Sequence, residues 1–222
     1  MTTTLLTPTA DTQIYEKYNK KQAQNKEKNK IAFCEEFNLP YEKKVPLLIM
    51  TYAQTEQNGS DVLEFTIEGI MEHDVELALL AVGTQKAQKM LNSIADKYPK
   101  KVAIIPDEEG NRNKMLAAGN ILLVPKDSEE CIKEAEKAMA YGTLPVIPQT
   151  EFVEDYNPIQ EKGNAFVMQQ VSPWSFFSAL VRAIENFKFP YDWKNLMVSA
   201  MEISEPTPSV DMERDGDDDE TV

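Results

Sequence analysis

The residues best suited to chemistry gather on one stretch, "SEECIKEAEKAMAYGTLPVI" (Ser128 to Ile147). It reads as an acidic helix running into a tight turn and a short buried strand. Glu129, Glu130, Glu134 and Glu136 could together bind a divalent cation. The alternative is a solvated helix face, because none of them repeats with ligand spacing. Acids at a helix entry also pair favourably with the helix dipole, which is a second role open to Glu129. Tyr141, Gly142 and Thr143 read as a helix stop and turn. His73, the only histidine, sits between Glu72 and Asp74 in a polar turn. It reads as an exposed side chain rather than a catalytic base. Cys34 and Cys131 are far apart and belong to no CxxC or Cys/His cluster, so two ordinary reduced thiols are expected.

Short apolar runs alternating with amphipathic segments must position these groups. "VPLLIMTY", "VELALLAVG", "KVAII", "NILLVP", "LPVIP" and "NAFVMQQ" predict six strands. "DVLEFTIEGIM", "TQKAQKMLNSIADKY", "NRNKMLAAG" and the segment from Glu129 to Tyr141 predict the helices between them. "SPWSFFSALVRAIENF" opens with a serine cap and a proline in the first turn, and "YDWKNLMVSAME" closes the series. Trp174 and Trp193 are expected to be packing anchors, with a carbohydrate-stacking face as the other reading. Continuous apolar strands alternating with helices imply a parallel sheet covered on both faces. The expected fold is α/β, a doubly wound Rossmann-like parallel sheet. In such sheets ligands bind where the loops meet at the carboxyl ends of the strands.

The chain has 222 residues, 42% of them hydrophobic, enough for a sizeable core. It carries 23 basic against 37 acidic residues, a formal net charge of −14. Nucleic acid and anionic membranes are therefore excluded as main partners. No apolar run approaches the ~18–20 residues of a membrane span. The opening "MTTTLLTPTADTQ" lacks the features of a signal peptide, so a cytoplasmic location is expected. The acid concentrates in "DMERDGDDDETV", expected to be disordered, while "EKYNKKQAQNKEKNK" is locally basic. These two stretches could touch; two oppositely charged solvated tails is the other reading. The expected organisation is a linker-like segment over 1–25, one domain over 26–202 and an acidic tail over 203–222.

In order, the loops after the strands are "TYAQTEQNGSD", "VGTQ", "PDEEGN", "PKDSEEC" and "PQTEFVED". Their order and spacing resemble the C-terminal, donor-binding half of bacterial glycogen synthases and plant starch synthases. "TPTADTQIYEKYN" looks like the linker between that family's two domains, and "NKIAFCEEFNLP" like the helix opening the second. "YPKKVAII", "AYGTLPVI", "SPWSFFSALVRAIENF" and "DWKNLMVSAM" match further blocks in place. The resemblance implies a single half of the two-domain GT-B glycosyltransferase fold.

The departures from the family pattern fall on the donor site. Its first loop reads Ser-Arg-Leu-x-x-Gln-Lys-Gly-x-Asp; here Ala53 stands for the arginine and Asn58 for the lysine, while Gln57, Gly59 and Asp61 remain. In the family those two cations hold the diphosphate of the nucleotide sugar. The surviving residues are also what a turn and a helix start require. Where the family has Gly-Ser-Gly stand Gly83, Thr84 and Gln85. Phe-Glu-Pro-Cys-Gly-Leu becomes Ser128 to Lys133, with Glu129 at the sugar-contacting glutamate and Ile132 at the glycine. The later Thr-Gly-Gly becomes Thr150, Glu151 and Phe152. Losing two charge-assisted contacts to a diphosphate removes about 3–6 kcal/mol, or roughly two to four decades of binding.

The resemblance thus implies a degenerate donor site at Ala53, Asn58, Gly59, Gly83, Glu129 and Thr150, with no catalytic residue, metal or cofactor. Those positions are expected to converge on one shallow, electronegative cleft. Two functions follow: a non-catalytic interaction or regulatory module, or the donor half of a split glucosyltransferase. The implied partners are an acceptor-domain protein or a glucan, with a weakly held nucleotide sugar as ligand.

Overall fold

A computed structural model describes residues 6–203. Of the acidic tail expected over 203–222, Ile203 ends the last helix and residues 204–222 lie outside the described residues. Six strands form one parallel sheet: β1 (Leu47–Met50), β2 (Glu76–Leu80), β3 (Val102–Ile105), β4 (Ile121–Leu123), β5 (Leu144–Pro148) and β6 (Phe166–Met168). Their order is β3-β2-β1-β4-β5-β6 and every neighbouring pair is parallel. β1, β2, β4, β5 and β6 are buried along their whole length. A strand covered on both faces needs no polar alternation, which is why these runs are apolar apart from Glu76 at the start of β2.

Among the described residues seven α-helices cover the sheet: α1 (Lys26–Glu36), α2 (Ser60–Met71), α3 (Gln85–Lys97), α4 (Asn111–Ala118), α5 (Glu129–Ala140), α6 (Pro173–Phe187) and α7 (Pro190–Ile203). Ser172 caps α6 by accepting from the Ser175 amide, as its sequence signature predicts. α6 packs on β5 and β6, and α7 returns against α5. Trp193 anchors α7 to β6 and α6: its ring stacks on Phe166 at 6.0 Å and meets Phe187 edge-on at 5.0 Å. Trp174 is no anchor. It is 71% exposed and meets only another exposed ring, Phe65, at 5.8 Å. The difference is the helix face each tryptophan occupies.

The basic segment expected as solvated chain is folded instead. Lys20–Asn25 forms a short 3-10 helix capped by Asn19 and runs into α1. Tyr18 donates to the Tyr141 carbonyl at 2.7 Å, and Tyr141 donates to Asp11 at 2.6 Å. Tyr141 ends α5 and Gly142 follows at φ 66°, the stop and turn expected there.

Glu76, at the start of β2, is buried beside Cys34, whose Sγ lies 3.9 Å away. Burial pushes its carboxyl up to about 7, against the opposing pull of Lys30. A folded value raised above the unfolded one favours folding below the unfolded pKa; that advantage is lost as pH rises through about 7. Glu76→Gln should remove this loss. Urea unfolding should show the variant gaining roughly 1–3 kcal/mol on the native chain between about pH 4.5 and pH 8. Parallel stability curves over that window would refute the assignment.

Candidate functional site

The strand order reverses between β1 and β4, so the loops following them diverge from a crevice at the carboxyl edge of the sheet. The β1 loop carries Ala53, Asn58 and Gly59, and the β4 loop leads through Pro125 to Ser128 and α5. Gly83 follows β2 and Thr150 follows β5. All six sequence-predicted positions therefore lie at one edge, because every strand is parallel and each position follows a strand or begins the next helix.

Two of the glycines are fixed by close packing, one against backbone and one against a proline ring. Gly83 has φ 145°, and a Cβ there would sit 2.5 Å from the Gln54 carbonyl oxygen. That contact is the bridge joining the first two loops, where the Gln54 amide also donates to Val82 at 2.7 Å. Gly59 has φ 91° at the entry of α2, and its Cβ would meet Pro125 at 2.3 Å. Both conformations suit glycine alone.

Asn58 is 4% exposed and every polar atom of its side chain is engaged. Its Nδ2 donates to the Ala53 carbonyl and to Glu130 Oε2, both at 2.8 Å, while its Oδ1 accepts from Ser128 Oγ at 2.7 Å. Glu130 Oε1 accepts from the Ala53 amide at 3.2 Å. One carboxylate thus ties together the two positions at which the related motif has cations. Ser128 Oγ also caps α5 by accepting from the Cys131 amide. The sequence grouped Glu130 with Glu129, Glu134 and Glu136, as a cation set or a solvated helix face, but did not identify it as this tie. Its placement in the first turn after a serine cap was the available signal.

Nearby cations are already paired. Lys126 bridges Asp61 at 2.8 Å and the Glu56 carbonyl at 2.6 Å, and Lys86 pairs with Glu56 at 2.9 Å. Glu129 is 83% exposed in its side chain and pairs with Lys133 at 2.5 Å, which holds its carboxyl below the usual range. Glu134, expected on a solvated face, is buried; Lys137 reaches its Oε2 at 3.2 Å, and its Oε1 has no partner among the described residues. Helix α5 therefore presents only part of its acid to water. Thr51 Oγ1, Gln54 Oε1 and Thr150 Oγ1 are also buried without partners at this edge.

A cavity of about 700 Å³ opens at the same edge, between the starts of α2 and α3, lined by Glu56, Asp61, Glu64, Thr84, Lys86 and Lys89 among others. Its acids meet two lysines, and none of the six candidate positions lines it. Among the described residues no cluster of three or more His, Cys, Asp or Glu could hold a metal ion. Burial pushes the Cys131 thiol up to about 11 and the Cys34 thiol up to about 12, so neither is a thiolate nucleophile at neutral pH. No helix among the described residues is long and apolar enough to cross a membrane.

No protein-family model matches the chain. Curated relatives do. A glycogen synthase of Mannheimia succiniciproducens is 32% identical over 203 residues, covering 88% of this chain and 43% of the relative. A glycogen synthase of Fervidobacterium nodosum is 29% identical over 199 residues, covering 87% of this chain and 41% of the relative. The chain thus spans about two-fifths of the length of these relatives. Among solved structures, the catalytic domain of starch synthase IV from Arabidopsis thaliana, bound to ADP and acarbose, superposes with a TM-score of 0.78 at 23% identity. That match covers 88% of this chain and 42% of the other. The C-terminal domain of a group 1 glycosyl transferase from Francisella tularensis gives 0.60 at 12% identity, covering 81% of this chain and 91% of that one. Along 88% of its length this chain is similar to the C-terminal half of glycogen synthases, and it carries a Rossmann-like parallel sheet like that of the starch synthase structure.

Proposed function

We propose that the chain is a glycogen synthase-like donor half-domain that transfers no glucose by itself and acts in the cytoplasm as an interaction or regulatory module. The observation that carries this reading is the Glu130 carboxylate bonded to both Ala53 and Asn58. A diphosphate approaching those positions meets a negative charge where the related motif offers two positive ones. The neighbouring lysines are tied to Asp61, Glu56 and Glu129, so binding would also require breaking ion pairs.

The chain should therefore show no detectable glucosyl transfer from ADP-glucose or UDP-glucose to glycogen or maltooligosaccharides. Radiolabelled donor and precipitation of the glucan would measure it. Turnover by the unmodified chain would overturn the proposal. A second reading, the donor half of a split glucosyltransferase, draws support from Gly59 and Gly83, which keep the left-handed backbone of close-approach loops. Turnover appearing only when a separate acceptor-domain protein is added would establish that reading.

A further inference from the structure

The opposite edge of the sheet carries a pocket of inverted charge. Lys43 and Lys44 lie just ahead of β1, and Asn120 lies just ahead of β4; all three line a cavity of about 490 Å³ at the amino ends of the strands. In a chain of net charge −14, its wall contains six lysines, Lys26, Lys30, Lys43, Lys44, Lys188 and Lys194, against the single acid Glu27. Glu27 accepts from the Tyr41 hydroxyl at 2.6 Å. Lys26 and Lys30 are buried and donate to backbone carbonyls, and Lys188 pairs with Glu185 at 2.7 Å. Lys43, Lys44 and Lys194 are exposed and have no side-chain partner among the described residues. Phe187, Trp193 and Met197 give the cavity an apolar floor. The indole N–H of Trp193 is buried and has no acceptor among the described residues.

We propose that this pocket binds the chain's own acidic stretch, Asp211–Glu220. That stretch holds seven carboxylates and one arginine, with four acids in succession at Asp217–Glu220. Charge complementarity therefore favours this segment as the occupant of the lysine-lined pocket. Reach also permits it. Helix α7 contributes Pro190, Trp193, Lys194 and Met197 to the pocket and ends at Ile203. Met197 to Ile203 spans about 9 Å of helix. The seven residues Ser204–Val210 can extend over roughly 23–25 Å, more than enough to bring Asp211 back. Tethering at this length gives an effective concentration on the order of millimolar, so even weak ion pairs populate the docked state. The proposal is independent of whether the donor edge binds a nucleotide.

The test uses the full chain at low micromolar concentration with a zero-length carbodiimide, followed by peptide mapping. Asp217–Glu220 should link to Lys43, Lys44 and Lys194 in a product of monomer mass. The yield should fall several-fold at about 1 M salt, where screening acts over about 3 Å. In parallel, acetylation of those three lysines should be about 2–5-fold slower in the native chain than in D217N/D218N/D219N/E220Q, whereas Lys86 and Lys133 should react equally in both. Equal rates at the three lysines would overturn the proposal, as would links found only in a dimer-mass product. Protection of them only when an added acidic peptide or inorganic phosphate is present would also overturn it, because the pocket would then serve a foreign anion.

Discussion

Restoring the missing cations with Ala53→Arg and Asn58→Lys should raise ADP affinity by less than about one decade. Adding Glu130→Gln should bring the gain to roughly one to three decades. The sequence alone assigns the whole gain to the two cations. The structure redistributes it. Asn58 Nδ2 lies 2.8 Å from Glu130, so a lysine at that position has the carboxylate within reach, and a salt bridge to it would consume its charge before any phosphate arrived. An arginine at 53 would face the same acid, which already accepts from the Ala53 amide. Neutralising Glu130 releases both cations. Asn58→Lys also gives up three buried hydrogen bonds, so a stability loss of about 1–3 kcal/mol should accompany the gain. Calorimetric titration with ADP of the double and triple variants measures the difference. If Glu130→Gln adds nothing, that carboxylate is not what closes the site. The triple variant should still show no turnover on its own, because nothing added there supplies acceptor binding or excludes water.

Lys26→Ala should cost about 3–5 kcal/mol of folding stability, the largest loss expected from any single truncation in the amino-terminal segment. Lys26 is 3% exposed, and its Nζ donates to the carbonyls of Leu116 and Ala117 at 2.9 Å and to Thr143 Oγ1 at 2.8 Å. The two carbonyls belong to the last turn of α4, which has no further helical amides to bond them. A cation there also meets the negative end of the helix dipole. Burial pulls the amine well below the usual lysine value. Three simultaneous acceptors nevertheless require three N–H groups, which only the ammonium form has. Lys26→Met should keep most of the packing yet still lose about 2–3 kcal/mol, because the Ala117 carbonyl loses the ammonium donor and the Leu116 carbonyl is left with the Thr143 hydroxyl. Denaturant unfolding of both variants tests this, and a methionine variant as stable as the native chain would show that the capping bonds contribute nothing.

The sequence by itself determined the six strands, the helices between them, their parallel pairing and the edge where the loops gather. Each of those properties is local or periodic: an apolar run such as Leu47–Met50 is legible because both faces of its strand are buried. The serine cap of α6 and the glycine stop of α5 are equally local. The resemblance to glycogen and starch synthases rests on the same collinear pattern. What only the tertiary structure decided involves side chains far apart in the chain. Glu130 meets Ala53 and Asn58 across 77 and 72 residues. Lys26 reaches α4 across 90 residues, which turned a stretch that reads as solvated charge into a buried cap. Trp193 and Trp174 look alike along the chain, and only the folding of α7 onto Phe166 and Phe187 separated the anchor from the exposed ring. Charge in a sequence states how much there is and in which order. Whether a charge is solvated, paired or buried depends on which surfaces fold against it, and hydrogen bonds and ion pairs act over a few ångströms of space regardless of distance along the chain.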